Sequence, residues 1–171
     1  MGSAKTANLL LLKHDIENKP GSGYKVVLVA PVLDERHGKG VVKSRAGLEA
    51  KADILLGPAE DIKDKLPIFR PFDLVLVLVD EAQFLSTKNV ESLRHLADNA
   101  EFDVKIMAYG LRTDYQTRLF EGSKRLLELA DDIQPIHTIC SFCEQTALHN
   151  MRVGDFGKEQ IVLGGSDMYK E

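Results

Sequence analysis

Apolar positions in this chain come in runs, and the runs define its elements. Residues 74–79 read LVLVLV and are followed by Asp80, Glu81, Ala82, Gln83 and Phe84. An unbroken β-branched-rich run of this length predicts a central strand buried on both faces of a parallel sheet. Residues 25–30, KVVLVA, predict a second such strand that stops at Pro31, and residues 104–108 predict a third. Between them the period changes. Residues 7 to about 18 are expected to form a helix, with Ser3 or Thr6 as its cap. Residues 58–67 are expected to form a short helix with Pro58 near its start. Ser86 or Thr87 should cap a helix with an apolar stripe of Val90, Leu93, Ala97 and Ala100. Residues 119–130 should form another, with Leu126, Leu127 and Ala130 facing inward. Helices alternating with strands argue for an α/β domain with a parallel sheet and crossover helices.

After residue 132 the pattern changes. Residues 133–139, 146–152 and 160–163 are expected as strands, the last two flanking a turn at Gly154-Asp155-Phe156-Gly157, and Gly164 to Tyr169 read as a loop. The chain should therefore divide into a nucleotide-binding part, 1–132, and a small β-rich part, 133–171. With 171 residues, 44% apolar and 28% charged, it can build one proper core plus an appendage. A net charge of −4 disfavours a nucleic-acid partner held by counterion release. No run is long enough to span a bilayer and no signal peptide is evident, so a cytoplasmic address is expected. Two cysteines are too few for a disulfide scaffold.

Three features carry chemistry. Met1-Gly2-Ser3-Ala4-Lys5-Thr6 resembles the end of the phosphate-loop pattern GxxxxGK[ST], with Ala4 in the place of the last glycine. In such a loop, backbone amides curl around phosphate oxygens, the lysine holds the outer phosphates and the hydroxyl ligates magnesium. The first glycine, and the strand that should lead into the loop, would precede Met1, so the expectation is either a chain shortened at its start or a gene product that lacks that strand. The second feature is Asp80-Glu81 at the carboxyl end of a buried strand, the edge where α/β sheets bind ligands. Asp80 there can serve magnesium, while Glu81 can take a proton from a hydroxyl or orient a water. Together these imply phosphoryl transfer from a nucleotide to water or to an alcohol. Third, Cys140-x2-Cys143 is half of a zinc knuckle; His137 and His149 are candidates for the other ligands, while a redox pair or a reduced structural pair are the alternatives. The charged, glycine-bearing loop of residues 34–40 reads equally as a phosphate-proximal loop and as plain surface.

The motifs, in order, are Lys5-Thr6, Asp34-x-Arg36, Ser44-Arg45, Asp80-Glu81-Ala82-Gln83-Phe84, Tyr109-Gly110-Leu111-Arg112-Thr113-Asp114, Phe120-x-Gly122-Ser123, Cys140-x2-Cys143 and Gly164-Gly165-x3-Tyr169. In this combination the sequence resembles the thymidine kinases of the zinc-bearing, P-loop type found across bacteria and animals. The resemblance implies a P-loop (RecA-like) parallel sheet flanked by helices, with a zinc-knuckle and lasso appendage. It implies transfer of the γ-phosphate of ATP to the 5′-hydroxyl of thymidine, and of deoxyuridine. Glu81 would be the base, with Asp80 and Thr6 on magnesium. Gly2, Ser3, Ala4, Lys5, Arg36, Ala82 and Gln83 would serve the nucleotide. Phe84, Leu111, Tyr115 and Phe120 would wall the base pocket, with Asn150 on the thymine side. Gln160, Val162, Gly164 and Tyr169 would close over it. Cys140 and Cys143 would hold structural zinc, whose second ligand pair would follow Tyr169 and lies beyond the end of this sequence. The resemblance also implies a homotetramer and feedback by dTTP. Gln116 departs from the arginine common in bacterial relatives. Two other readings compete: a P-loop ATPase or helicase-like module, and a non-catalytic nucleotide-binding relative.

Overall fold

The computed structural model describes residues 4–21, 23–33, 40–70, 73–99, 103–147, 149–153 and 169–170. Its centre is a four-stranded parallel sheet in the order β4-β1-β5-β6, formed by Tyr24–Pro31 (β1), Ile54–Leu56 (β4), Leu74–Val79 (β5) and Asp103–Ala108 (β6). The Leu–Val alternation of β5 sorts its side chains by face. Val75, Val77 and Val79 join Val27 and Val29 of β1 on one side of the sheet, against Val90, Leu93 and Leu96. Leu76 and Leu78 join Leu28 and Ala30 on the other side, against Leu9 and Leu10. Because both faces are covered, β1 and β5 tolerate almost no polar residue, which explains their unbroken apolar runs. β6 lies at the end of the sheet order and is half-exposed.

One face of the sheet carries the first helix, Lys5–Asn18 (α1). The opposite face carries Thr87–Asn99 (α2) and Glu121–Leu129 (α3), giving three layers. α1 begins two residues before its expected start. Ala4, not Ser3 or Thr6, occupies the N-cap place, with φ 52° and ψ 18°, and this left-handed residue turns the chain into the helix. α2 begins as its capping residues require. The Asn89 N–H donates to Ser86 Oγ at 3.1 Å, and the Ser86 N–H donates to Asn89 Oδ1 at 3.0 Å. These reciprocal bonds satisfy two amides of the first turn.

The structure corrects several expectations. Among the described residues no α-helix links β1 to β5. The link is a hairpin of Val41–Lys43 (β2) and Glu49–Lys51 (β3), then β4, then a 3-10 turn at Ile62–Lys65 in place of the helix expected over 58–67. Gly47, at φ 86°, makes the hairpin turn possible. On α2, Leu96 faces the core and Ala97 is exposed, because the helix turns about 3.6 residues per cycle and Val90, Leu93 and Leu96 complete the stripe. Ala100 lies outside the described residues. On α3, Leu126 and Leu129 pack inward, while Leu127 and Ala130 are exposed. Residues 133–139 form no strand. Pro135 withholds a backbone donor there, and Ile133 and Ile139 are exposed.

What remains of the expected β appendage is a narrow hairpin and a short ladder. Ile139 bridges Thr146, with the Cys140 N–H donating to the Gln145 carbonyl at 2.7 Å and the Ala147 N–H to the Thr138 carbonyl at 2.9 Å. Met151–Arg152 (β7) pairs antiparallel with Tyr169–Lys170 (β8). The strand expected at 160–163 lies outside the described residues.

Candidate active site

The carboxyl ends of β1, β5 and β6 are laced together where β5 runs out. The Asp80 N–H donates to the Val29 carbonyl at 3.0 Å, the Tyr109 N–H to the Val79 carbonyl at 2.8 Å, and the Ala82 N–H to the Tyr109 carbonyl at 2.9 Å. The chain then turns sharply. Glu81 adopts φ 47° and ψ 39°, a left-handed conformation that costs an L-residue roughly 1–2 kcal/mol, and a 3-10 turn follows at Ala82–Phe84. Strain of this kind, held by the surrounding hydrogen bonds, is concentrated at functional sites.

The first helix meets this edge across 74 residues of chain. Thr6 Oγ1 lies 3.1 Å from both Oδ1 and Oδ2 of Asp80. Asp80 is 4% exposed, so a charge there requires close compensation. Ala4 brings no capping side chain to α1, and the helix start presents its positive end to the same edge. An alcohol and a carboxylate are hard oxygen donors of the kind magnesium takes, and their convergence fits that ion.

Beside Glu81 lies a second, largely buried arrangement. Gln83, 2% exposed, donates from Nε2 to Glu81 Oε2 at 2.5 Å and accepts at Oε1 from the Leu111 N–H at 2.9 Å. Ser123 Oγ donates to the Leu111 carbonyl at 2.6 Å. The rings of Phe84 and Phe120 meet edge to face, 6.0 Å apart at 76°. Leu111 and Tyr115 are partly exposed on the loop after β6, and the Arg152 guanidinium lies 5.0 Å over the Tyr115 ring. That loop is organised by Asp114, whose Oδ1 accepts from the amides of Gln116 at 2.8 Å and Arg118 at 2.9 Å. Burial pushes the Tyr109 phenol above its ordinary value.

The sequence-derived residues therefore sort into groups. Thr6 and Asp80 come together, with Glu81 next in the chain, and Gln83 joins Glu81 to Leu111. Phe84 and Phe120 come together. Lys5 opens α1. Ala82 is buried in the turn, and its side chain is packed among apolar neighbours. Asn150 is half-buried, and Tyr169 contributes backbone to β8. Gly2, Ser3, Arg36, Gln160, Val162 and Gly164 lie outside the described residues.

Cys140 and Cys143 sit at the turn of the 139–146 hairpin. The Phe142 N–H donates to Cys140 Sγ at 3.4 Å, and backbone donors from Phe142 and Cys143 hold the Cys140 thiol below its usual range. Amides aimed at sulfur favour a thiolate, as a zinc ligand must be. Among the described residues no cluster of three potential ligands forms, so His137 and His149 do not complete the pair. The described residues supply half of a tetrahedral site and do not by themselves fit a closed one.

Sequence reasoning passed over the supports. Gly122 packs so closely under the 3-10 turn that an added Cβ would lie 2.6 Å from the Leu85 carbonyl oxygen and 2.7 Å from that of Ala82. The Arg152 stack on Tyr115 was equally invisible, since nothing in the spacing pairs residues 115 and 152. In the sequence Gly122 stands out only as part of the Phe120-x-Gly122-Ser123 motif, with no packing role attached to it.

Comparison with known proteins bears on the same residues. A family model described as "Thymidine kinase" matches residues 1–171. A protein named "Thymidine kinase" from Streptococcus agalactiae is 39% identical over 178 residues, covering 99% of this chain and 88% of its own length. One of the same name from Streptococcus gordonii is 40% identical over 176 residues, covering 99% and 87%. One from Streptococcus pyogenes is 38% identical over 181 residues, covering 99% and 88%.

Proposed function

From the premise that this chain belongs to the thymidine kinase family, we propose that it transfers the γ-phosphate of ATP to the 5′-hydroxyl of thymidine, with Glu81 as the base. The observation that supports this most is the meeting of the Thr6 hydroxyl with the Asp80 carboxylate at 3.1 Å, directly beside a turn-held Glu81. Family membership disfavours the motor and the non-catalytic readings.

The steps follow from the side chains. Lys5 and the amides at the start of α1 hold the phosphate chain. Thr6 and Asp80 would hold magnesium, which when bound supplies positive charge against the phosphate oxygens. Glu81 accepts the proton of the nucleoside's 5′-alcohol as that oxygen forms its bond to the γ-phosphorus. The bond from that phosphorus to the bridging oxygen breaks, and ADP leaves with the electron pair. Phe84 and Phe120, with Leu111 and Tyr115, offer apolar and aromatic surface suited to a flat pyrimidine, and Asn150 a polar contact. Gly2, Ser3 and Arg36 serve the phosphates, Ala82 the nucleotide side of the turn, and Gln160, Val162, Gly164 and Tyr169 the closing loop, all on family resemblance.

The finer points rest on the same membership. Deoxyuridine is a second substrate, Cys140 and Cys143 would hold structural zinc together with ligands from outside the described residues, the enzyme is a cytoplasmic homotetramer, and dTTP inhibits it. The chain divides at residue 132 into a P-loop nucleotide-binding part and a small zinc-knuckle and lasso part that closes over the nucleoside. No helix among the described residues is long and apolar enough to cross a membrane.

The test is ADP production with magnesium in the presence of thymidine, deoxyuridine, deoxycytidine or no nucleoside. Thymidine and deoxyuridine should drive turnover and deoxycytidine should not. ATP consumption indifferent to nucleoside would overturn the proposal.

A further inference from the structure

We infer that Gln83 is a positioning residue that holds the Glu81 carboxylate and the Leu111 backbone in one fixed relation, and is not a nucleotide contact. The inference rests on the kinase reading for the role of Glu81, but the contact itself does not.

Gln83 is almost fully buried, so both halves of its amide need partners. A backbone N–H can only donate, so the Leu111 amide fixes which end of Gln83 is oxygen. Nε2 is then left facing Glu81 Oε2. The amide orientation is thereby decided by the backbone of another element, and the direction of the Glu81 carboxylate follows from it. Gly110 permits this close approach: a Cβ there would lie 2.9 Å from Gln83 Oε1 and 3.0 Å from the Gln83 nitrogen. The left-handed backbone of Glu81 sets the root of the side chain, and Gln83 sets its tip.

The consequence is functional. A glutamate side chain has three rotatable bonds, and a base must lie within hydrogen-bond reach of the alcohol it deprotonates. Holding it beforehand removes that ordering step from the reaction. Because Leu111 belongs to the proposed nucleoside wall, one amide links the base to the pocket that presents its substrate.

Gln83→Met keeps the length of the side chain and removes both hydrogen bonds. Gln83→Glu keeps an acceptor for Leu111 but sets a carboxylate against Glu81. The inference expects Gln83→Met to lower kcat about 10–100-fold with KM for ATP within about twofold of the parent, and to raise KM for thymidine. Gln83→Glu should lose kcat at least as far while keeping the parental KM for thymidine. A raised KM for ATP with unchanged kcat would overturn it, because Gln83 would then be binding nucleotide. Should either variant fail to fold, NMR of the unaltered chain decides. The Gln83 side-chain amide protons should exchange slowly and shift on Glu81→Gln; fast exchange, or resonances indifferent to that change, would overturn the inference. A chain with no nucleoside-dependent turnover but with these NMR signatures would remove the kinase reading and leave the contact standing.

Discussion

At the scale of single residues, the site is built from side chains whose partners lie far away in sequence. Thr6 and Asp80 are 74 positions apart and touch. Both were legible because each carries a motif, Lys5-Thr6 after small residues and Asp80-Glu81 after a buried run. The Gln83 contacts were not legible, because the DEAQF run does not say which loop its glutamine will meet; that depends on β5 and β6 pairing in the register Val79↔Ala108. The role of Thr6 yields a prediction. Thr6→Ala removes the hydroxyl that would serve magnesium, and turnover should fall about 10–100-fold with a higher magnesium requirement, while Thr6→Ser stays near the parent. Activity titrated against magnesium checks it, and a Thr6→Ala curve superimposed on the parent's would remove Thr6 from the metal.

At the scale of elements, legibility followed length and burial. β1 and β5 were clear because strands covered on both faces have continuous apolar sequences. The stretch between them was not, because β2, β3 and β4 are three residues each and are fixed by tertiary partners such as the Asp53 carboxylate, which accepts from the Leu28 N–H at 2.7 Å. Residues 133–139 looked like a strand on apolar content, yet only their last two residues find a partner, Thr138 and Ile139 against 146–147, and Ile133 and Ile139 stay exposed. α3 and the 3-10 turn after Glu81 meet through Gly122. Gly122→Ala would press a methyl group against two backbone carbonyls that cannot move aside cheaply, and should cost about 1–3 kcal/mol in stability. Because those carbonyls belong to Ala82 and Leu85, the turn below Glu81 should shift as well. Urea unfolding and kcat, measured together, should both fall; an unchanged urea midpoint would show that the contact is looser than described.

At the scale of the whole molecule, two surface carboxylates clasp α2 and a third ties together the segment around Gly57 on which Asn89 of α2 rests. Glu121 Oε1 accepts from the Thr87 N–H at 2.7 Å, Asp61 Oδ1 accepts from Ser92 Oγ at 2.9 Å, and Glu60 Oε2 accepts from the Gly57 N–H beside Lys65. Each is held below its ordinary pKa: Glu121 by the Thr87 amide, Asp61 by the Lys63 amide, and Glu60 by Lys65. A carboxylate with a depressed folded-state pKa stabilises the fold above its unfolded value and loses that contribution as pH falls. The urea midpoint should therefore hold near neutrality and drop as pH is lowered from about 5 to about 3, and Glu121→Gln should make that drop shallower. An acid limb unchanged by Glu121→Gln would deny the carboxylate this role.

The central claim is that Glu81 performs proton acceptance beside the Thr6–Asp80 pair. It is tested most directly by measuring thymidine-dependent dTMP formation for the parent chain and Glu81→Gln side by side, with ATP binding followed by calorimetry on both. The account predicts that the variant binds ATP as the parent does and loses turnover about 100-fold or more. Turnover equal to the parent's, with ATP bound equally well, would contradict it.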